Sequence, residues 1–420
     1  MRALLVTTFY PPYCFGGDAI YAWRLANALA ADGHSVDVIH GADFYELLAS
    51  PRPLPEALPN HPNVTLHALR SAAPTFVSLA GHQSGFPIGR GSQIARAIGG
   101  KEYHVIHFNN ISMFGPGILR LKTVGSRPIK LFTLQEYWLV CPSHLLWKFG
   151  KRPCESRQCL ECVIRARRPP QLWRYTGLME RMVQHVDRFL APSRALGRIH
   201  AERGFHHRMD YFPLFTAVPR RDELAALQCP LQKPYWLFAG RVEPYKGLED
   251  LIEAWSQASD MDLVIAGDGS ALERIQRETA ANQRIHVLGH VSQPDLSAFY
   301  HHAFGCIVPS RFPEPFGLVA IEALAHRTPI IAMDVGGLRE IVNESGGGFL
   351  YHNVRELAEL MKGLETDRRL REELAEKGAR RCLELWSLPA HQRRYYSLLN
   401  EIEAARTPAS GTRETQKSGI

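Results

Sequence analysis

No apolar run in the 420 residues reaches the roughly 18 needed to cross a bilayer, and the run Ala3 to Val6 is too short for the core of a secretory leader. A cytoplasmic location is therefore expected. Cysteine is scarce, with eight residues in all, too few for a disulfide scaffold. The G-x-G-x-x-G fingerprint is missing, an Asp-x-Asp metal motif is expected to be absent as well, and no metal dependence is expected. No recognisable nucleic-acid-binding motif occurs either, and nucleic acid is not an expected partner. What remains is a globular composition, 45% hydrophobic and 22% charged. The length is too great for one ordinary core and suits two domains of roughly 200 residues.

Charge is unevenly spread. Residues 1–215 carry 25 Lys/Arg against 14 Asp/Glu and the remainder 24 against 28, so the halves stand at +11 and −4 within an overall +7. A basic first half suits an anionic membrane surface or an acidic acceptor, although arginines scattered over a solvated face account for it equally well.

Along the chain, Leu4-Leu5-Val6 reads as a buried strand and Gly16-Gly17-Asp18 as the mouth of a helix whose apolar face is Ala22, Leu25, Ala26 and Leu29. Val36 to Ile39 is the next strand, which makes a doubly wound unit. Residues 51–91, with Pro51, Pro53, Pro55, Pro59 and Pro62 early on, read as a long irregular excursion. Val105 to Asn110 is a strand ending in polar groups, and Lys130 to Thr133 leads into Gln135-Glu136-Tyr137-Trp138. The alternation restarts with Trp236 to Arg241, Pro244-Tyr245-Lys246-Gly247, Leu263 to Ala266 and Gly267-Asp268-Gly269. Repeated βα units with polar turns at the strand ends point to parallel sheets with a cleft along that edge.

Four cysteines fall together as Cys141-x12-Cys154-x4-Cys159-x2-Cys162, inside a basic stretch from Lys148 to Arg168. Four thiols within 22 residues could hold a structural zinc or an iron–sulfur cluster. Unpaired thiols are the alternative, with disulfides behind both in a reducing compartment.

The second half holds Arg311-Phe312-Pro313-Glu314-Pro315-Phe316-Gly317-Leu318, followed by Glu322, after the apolar run Phe304 to Val308. Pro315 suits a first helical turn, which would leave the N–H groups of Phe316, Gly317 and Leu318 free for an anion, with Glu314 just before the helix and Glu322 two turns along. An elongated ligand with a phosphate at the helix start fits both carboxylates.

This stretch resembles the E-x7-E signature of the retaining glycosyltransferases of GT-B type, known as glycosyltransferase family four or group 1. The likeness continues through Ala323 to Ala325, Pro329-Ile330-Ile331-Ala332 and Asp334-Val335-Gly336-Gly337 to Glu340. It implies an α/β fold of two facing Rossmann-like domains: an acceptor domain at 1–216 carrying the Cys-rich insertion, a nucleotide-sugar domain at 217–385 and a helix returning to the first domain at 386–403. The tail at 404–420, rich in Ser, Thr, Gly and charge from Thr407 on, reads as disordered by composition. The resemblance implies transfer of a hexose-type sugar from a nucleotide diphosphate sugar to a glycan or lipid-linked glycan, with no catalytic cofactor. Arg241 and Lys246 match the diphosphate clamp, Glu314 a contact to donor-sugar hydroxyls, Glu322 a ribose contact and His107 a contact to sugar hydroxyls. Gly16 and Gly17 would approach the donor from the opposite domain, Gly267 and Asp268 would lie near the nucleobase, and Phe316, Gly317 and Leu318 would meet the phosphates. Where relatives often carry His-Asp before Tyr-Trp, this chain has Gln135-Glu136, a departure that argues against an acid–base role there and leaves a hydrogen-bonding role open. A sugar-nucleotide epimerase, a phosphorylase or a Cys-rich adaptor are the rival readings. The basic first half adds an expectation of weak docking on the inner membrane face.

Overall fold

The computed structural model describes residues 1–49 and 57–406. Hydrophobic runs such as Leu4-Leu5-Val6 and Ile307-Val308 form strands buried on both faces, the pattern of parallel sheets covered by helices on either side. In chain order the strands of the first half are β1 (Arg2–Val6), β2 (Ser35–Gly41), β3 (Val64–Leu69), β4 (Val105–Phe108), β5 (Ile129–Thr133), a two-stranded hairpin of β6 (Trp147–Lys148) and β7 (Arg152–Pro153), then β8 (Arg188–Ala191) and β9 (Met209–Tyr211). All except the hairpin form one parallel sheet in the order β3-β2-β1-β4-β5-β8-β9. The second half supplies β10 (Tyr235–Ala239), β11 (Asp262–Ala266), β12 (Ile285–Gly289), β13 (Gly305–Val308), β14 (Ile330–Met333) and β15 (Gly348–Tyr351), parallel in the order β12-β11-β10-β13-β14-β15.

Each sheet reverses its order once beside its first strand, between β1 and β4 in one and between β10 and β13 in the other. These are the switch points at which doubly wound sheets leave a crevice for ligands. The loops leaving β1, β4, β10 and β13 are thereby placed at the two crevices.

A last helix, Leu388–Arg406, crosses back onto the first sheet. His391 lies against Tyr21 (3.3 Å) and the carbonyl of Pro213 (3.1 Å), while Tyr395 Oη reaches Nδ1 of His107 at 3.2 Å. The crossing is tied where Thr216 N donates to the carbonyl of Trp386. This helix runs past the expected end at 403, so residues 404–406 belong to it, and residues 407–420 of the expected tail lie outside the described residues.

The expected irregular excursion at 51–91 is corrected. Val64–Leu69 pairs with β2 as a half-exposed edge strand, and the helices Pro74–Ser84 and Gly91–Ile98 follow. The prolines responsible for that reading fall at 51–62, and residues 50–56 lie outside the described part.

Among the described residues no helix is long and apolar enough to cross a membrane.

Candidate active site

The two crevices meet. Gly16 and Gly17 lead into the helix Gly17–Ala31. A Cβ on Gly16 would stand 3.7 Å from Cδ of Arg241, and one on Gly17 would stand 2.7 Å from Cδ1 of Leu318. The glycine loop of the first sheet therefore abuts both the strand-end arginine and the helix start of the second. Arg241 is held by Glu243, whose Oε1 accepts from Nη2 at 2.7 Å. Gly267 packs against the same strand end, because a Cβ there would fall on the carbonyl oxygen of Gly240. Asp268 follows it, accepting from Val242 N through its carbonyl and from Gly269 N through Oδ1 at 2.6 Å.

Five residues on from Arg241, Lys246 ends the turn Pro244–Lys246 and donates from Nζ to Oε1 of Glu314 at 2.5 Å. Ser310 Oγ donates to the same oxygen. The Glu314 carbonyl accepts from Gly337 N at 2.8 Å, so the backbone of this residue is fixed as well. Glu314 is thus buried with Oε1 engaged by both donors, its charge set against that of Lys246.

The helix after Glu314 is Leu318–Ala325, capped by Gly317 at φ +116°. The expected start at Pro315 is corrected to Leu318. Phe316 turns into the core near Trp386 (6.4 Å), and the chain then reverses through a left-handed conformation that only glycine adopts freely. Phe316 thus contributes backbone alone at this edge. The first N–H groups of the helix have no intrahelical acceptor, and the helix dipole adds partial positive charge.

Glu322 lies on the same helix. Its Oε1 accepts from Nη2 of Arg24 at 2.7 Å and its Oε2 from the Tyr300 hydroxyl at 3.2 Å. Arg24 belongs to the helix Gly17–Ala31, so this ion pair ties the two halves together. A carboxylate has about four acceptor sites, which leaves capacity for ligand hydroxyls.

His107 does not fit the expected role. It sits mid-sheet between Leu5 and Leu131 with no exposed surface, and Nε2 pairs with Thr133 Oγ1 at 2.7 Å while Nδ1 pairs with Tyr395. Burial pushes its pKa down to about 3, so it is a neutral core residue with both ring nitrogens spent. The polar groups at this sheet edge are others. Asn109 and Gln135 carry buried amide atoms without partners and, with Glu136, line a cavity of about 10 Å³, the size of one water. Asn110 Nδ2 donates to Asp18 at 2.9 Å, and burial, reinforced by Glu136, raises the Asp18 carboxyl to about 6.

The zinc or iron–sulfur expectation at Cys141, Cys154, Cys159 and Cys162 finds no support in the structure. All four are free thiols, and among the described residues no group of His, Cys, Asp or Glu could hold a metal ion. Three of the sulfurs have hydrogen-bond partners of their own: Cys141 Sγ pairs with Ser143 Oγ (3.2 Å), Cys154 Sγ with the Ser156 carbonyl (3.6 Å), and Cys162 Sγ accepts from Phe149 N (3.3 Å). The Cys159 thiol is pushed up by burial and by the nearby Cys141 and Cys154. The letters Asp-x-Asp do occur at Asp260-Met261-Asp262, contrary to expectation. Asp260 is fully exposed, and Asp262 begins β11 with its carboxylate on His286, at the sheet end away from the crevice.

The sequence model described as Glycosyl transferases group 1 matches residues 219–381, and that described as Glycosyltransferase Family 4 matches residues 15–215. The chain belongs to this family. Its fold is that of the GT-B type. An uncharacterized glycosyltransferase of Methanocaldococcus jannaschii is 35% identical over 148 residues, 34% of this chain and 42% of that protein. The first relatives matched are spanned over 36% to 59% of their own lengths. Among solved structures, sucrose-phosphate synthase from Thermosynechococcus elongatus superposes with a TM-score of 0.72 at 23% identity, over 96% of this chain and 100% of that one. Anabaena HepE, solved in complex with UDP and glucose, does so with a TM-score of 0.64 at 17% identity, over 95% and 99%. These two likenesses carry the fold.

Residues that sequence reasoning left unassigned are Asp18, Arg24, Glu243 and Tyr300. Asp18 was visible at the mouth of the first helix. Glu243 stands two residues from the arginine it holds, whereas Arg24 and Tyr300 gain meaning through Glu322, 298 and 22 positions away.

Proposed function

We propose that this glycosyltransferase moves a hexose-type sugar from a nucleotide diphosphate sugar to a glycan or lipid-linked glycan, with retention at the anomeric carbon. Residues 1–216 would receive the acceptor and residues 217–385 the donor. The observation that carries the reading is the convergence of Arg241, the Lys246–Glu314 pair and the start of the helix Leu318–Ala325 at one switch point, with Gly16 and Gly17 against them. Three sources of positive charge there suit a diphosphate, and a relative of the same fold holding UDP and glucose supports the same ligand class.

As the glycosidic bond breaks, negative charge grows on the departing diphosphate. Arg241 offers a planar fork of donors and Lys246 a point charge, both already oriented by Glu243 and Glu314. Preorganised donors aimed at developing charge are typically worth about 3–4 kcal/mol each. Glu314, on the sugar side of the clamp, would accept from donor-sugar hydroxyls, and Glu322 from the ribose. Because the clamp and the helix dipole supply the charge, no divalent ion is required. The basic first half suits an acceptor displayed on an anionic surface.

Thermal melting against UDP-, GDP- and ADP-sugars in buffer containing EDTA tests this reading. One donor should raise Tm, and the chelator should leave that shift in place. No shift from any donor contradicts it.

A further inference from the structure

The Cys-rich segment has so far no role. It leaves β5 through Gln135 to Trp138 and returns to the first sheet at β8, and between them its hairpin reaches the other half of the molecule. Trp147 of β6 forms a buried cluster with Tyr245 and Phe312, both from the second half, with Leu145 packed at its side. The Trp147 and Tyr245 ring centroids are 6.5 Å apart, and those of Tyr245 and Phe312 are 5.1 Å apart and edge-on. Tyr245 immediately precedes Lys246, whose Nζ lies 4.9 Å over the Phe312 ring while bonded to Glu314. Tyr245 also anchors its loop to the Glu314 segment through Arg311 N, which donates to the Tyr245 carbonyl at 2.9 Å.

The segment is built to present that indole. Trp147 is 7% exposed although its partner strand β7 is exposed, so the burial comes from the second half. His144, Leu146 and Phe149 hold positive φ on either side of it, a conformation costly for residues with a Cβ and maintained only where surrounding contacts over-determine it. Those contacts are local. The His144 carbonyl accepts from Tyr137 N and its ring pairs with Glu136 at 2.8 Å, which fixes the root. Phe149 N donates to Cys162 Sγ and Lys148 Nζ to Ser156 Oγ, which fixes the tip against the helix Cys159–Arg165.

We propose that this hairpin is a strap across the two halves and that Trp147 is a positioning residue for the Lys246–Glu314 pair, and through it for the donor diphosphate. Tyr245 and Phe312 form one edge of the clamp loop, and the Trp147 ring supports that edge from the opposite domain. The donor site is then complete only when the first domain's insertion is seated on it. The thiols serve this geometry as packing and hydrogen-bonding groups of the strap. The inference rests on the reading that Lys246 holds a donor diphosphate.

Calorimetric titration of the full chain with UDP, GDP and ADP tests it, the tightest of the three serving as probe. Trp147→Ala should weaken binding about tenfold, the scale of one lost aromatic contact, and Trp147→Phe should recover most of that loss. In the double-mutant cycle, adding Trp147→Ala to Tyr245→Ala should cost less than about twofold more, because both act through one contact. If Trp147→Ala fails to fold, Trp147→Leu replaces it with the same expected loss. Wild-type affinity in the Ala or Leu variant, alongside lost binding in Lys246→Ala, overturns the strap and leaves the donor reading standing. Unchanged affinity in Lys246→Ala, or no binding of any of the three by the wild type, overturns the donor reading and the strap with it.

Discussion

Asp18, half-buried at the mouth of the first helix, and His107, fully buried in the first sheet, are ionisable groups that desolvation moves in opposite directions, one up to about 6 and the other down to about 3. Burial favours the neutral form of each, but only Asp18 changes state near physiological conditions. Its carboxyl moves from 3.8 to about 6, so the folded state binds the proton more tightly than the unfolded state does. Its contribution to stability is therefore most favourable at low pH and is lost as pH rises through that window. Asp18→Asn keeps the bond to Asn110 without the buried charge, so Tm should rise at pH 7.5 and the gain should disappear near pH 4. A gain that ignores pH would show that the Asp18 charge is not the cause. At this scale the sequence was most legible where residue type and spacing carry the chemistry, as at Arg241, Lys246, Glu314 and Glu322. His107 was misread because strands of a covered parallel sheet are buried on both faces, so a strand-end position does not reveal whether a side chain meets ligand or core.

Among elements, the returning helix Leu388–Arg406 shows what its length alone could not: it docks through polar groups inside an apolar interface. Tyr395 stacks on His107 at 5.7 Å and fills its Nδ1, while His391 serves Tyr21 and Pro213. Tyr395→Phe leaves that ring nitrogen buried and unpartnered, at a cost of about 1–3 kcal/mol, and should lower Tm by several degrees. An unchanged Tm would mean that apolar packing alone holds the helix. Strand and helix order was readable from hydrophobic runs and Gly punctuation, and the two sheets follow it. Two element boundaries were not. Pro315 resembles a helix opener, yet a left-handed Gly317 delays the start to Leu318. The prolines of 51–62 hid the edge strand Val64–Leu69, whose exposure follows no regular alternation and so gives a weaker signal than a buried run.

In the whole molecule, the site is made by the approach of two sheets. Arg24 meets Glu322 at 2.7 Å, Gly17 faces Leu318, and Glu340 receives the Arg194 and Ala195 amides at 2.9 and 2.6 Å, capping a helix of the opposite half. Every one of these contacts joins residues more than 140 positions apart, beyond the reach of local pattern, whereas the motifs on either side were readable alone. The central claim is that Arg241 and Lys246 carry the charge of the departing diphosphate. The measurement that tests it most directly is the rate at which the stabilising donor releases its nucleoside diphosphate in Arg241→Ala and Lys246→Ala, with melting curves to establish that each variant folds. Both rates should fall roughly 100-fold or more with the fold intact. Near-normal release in both folded variants would contradict the account.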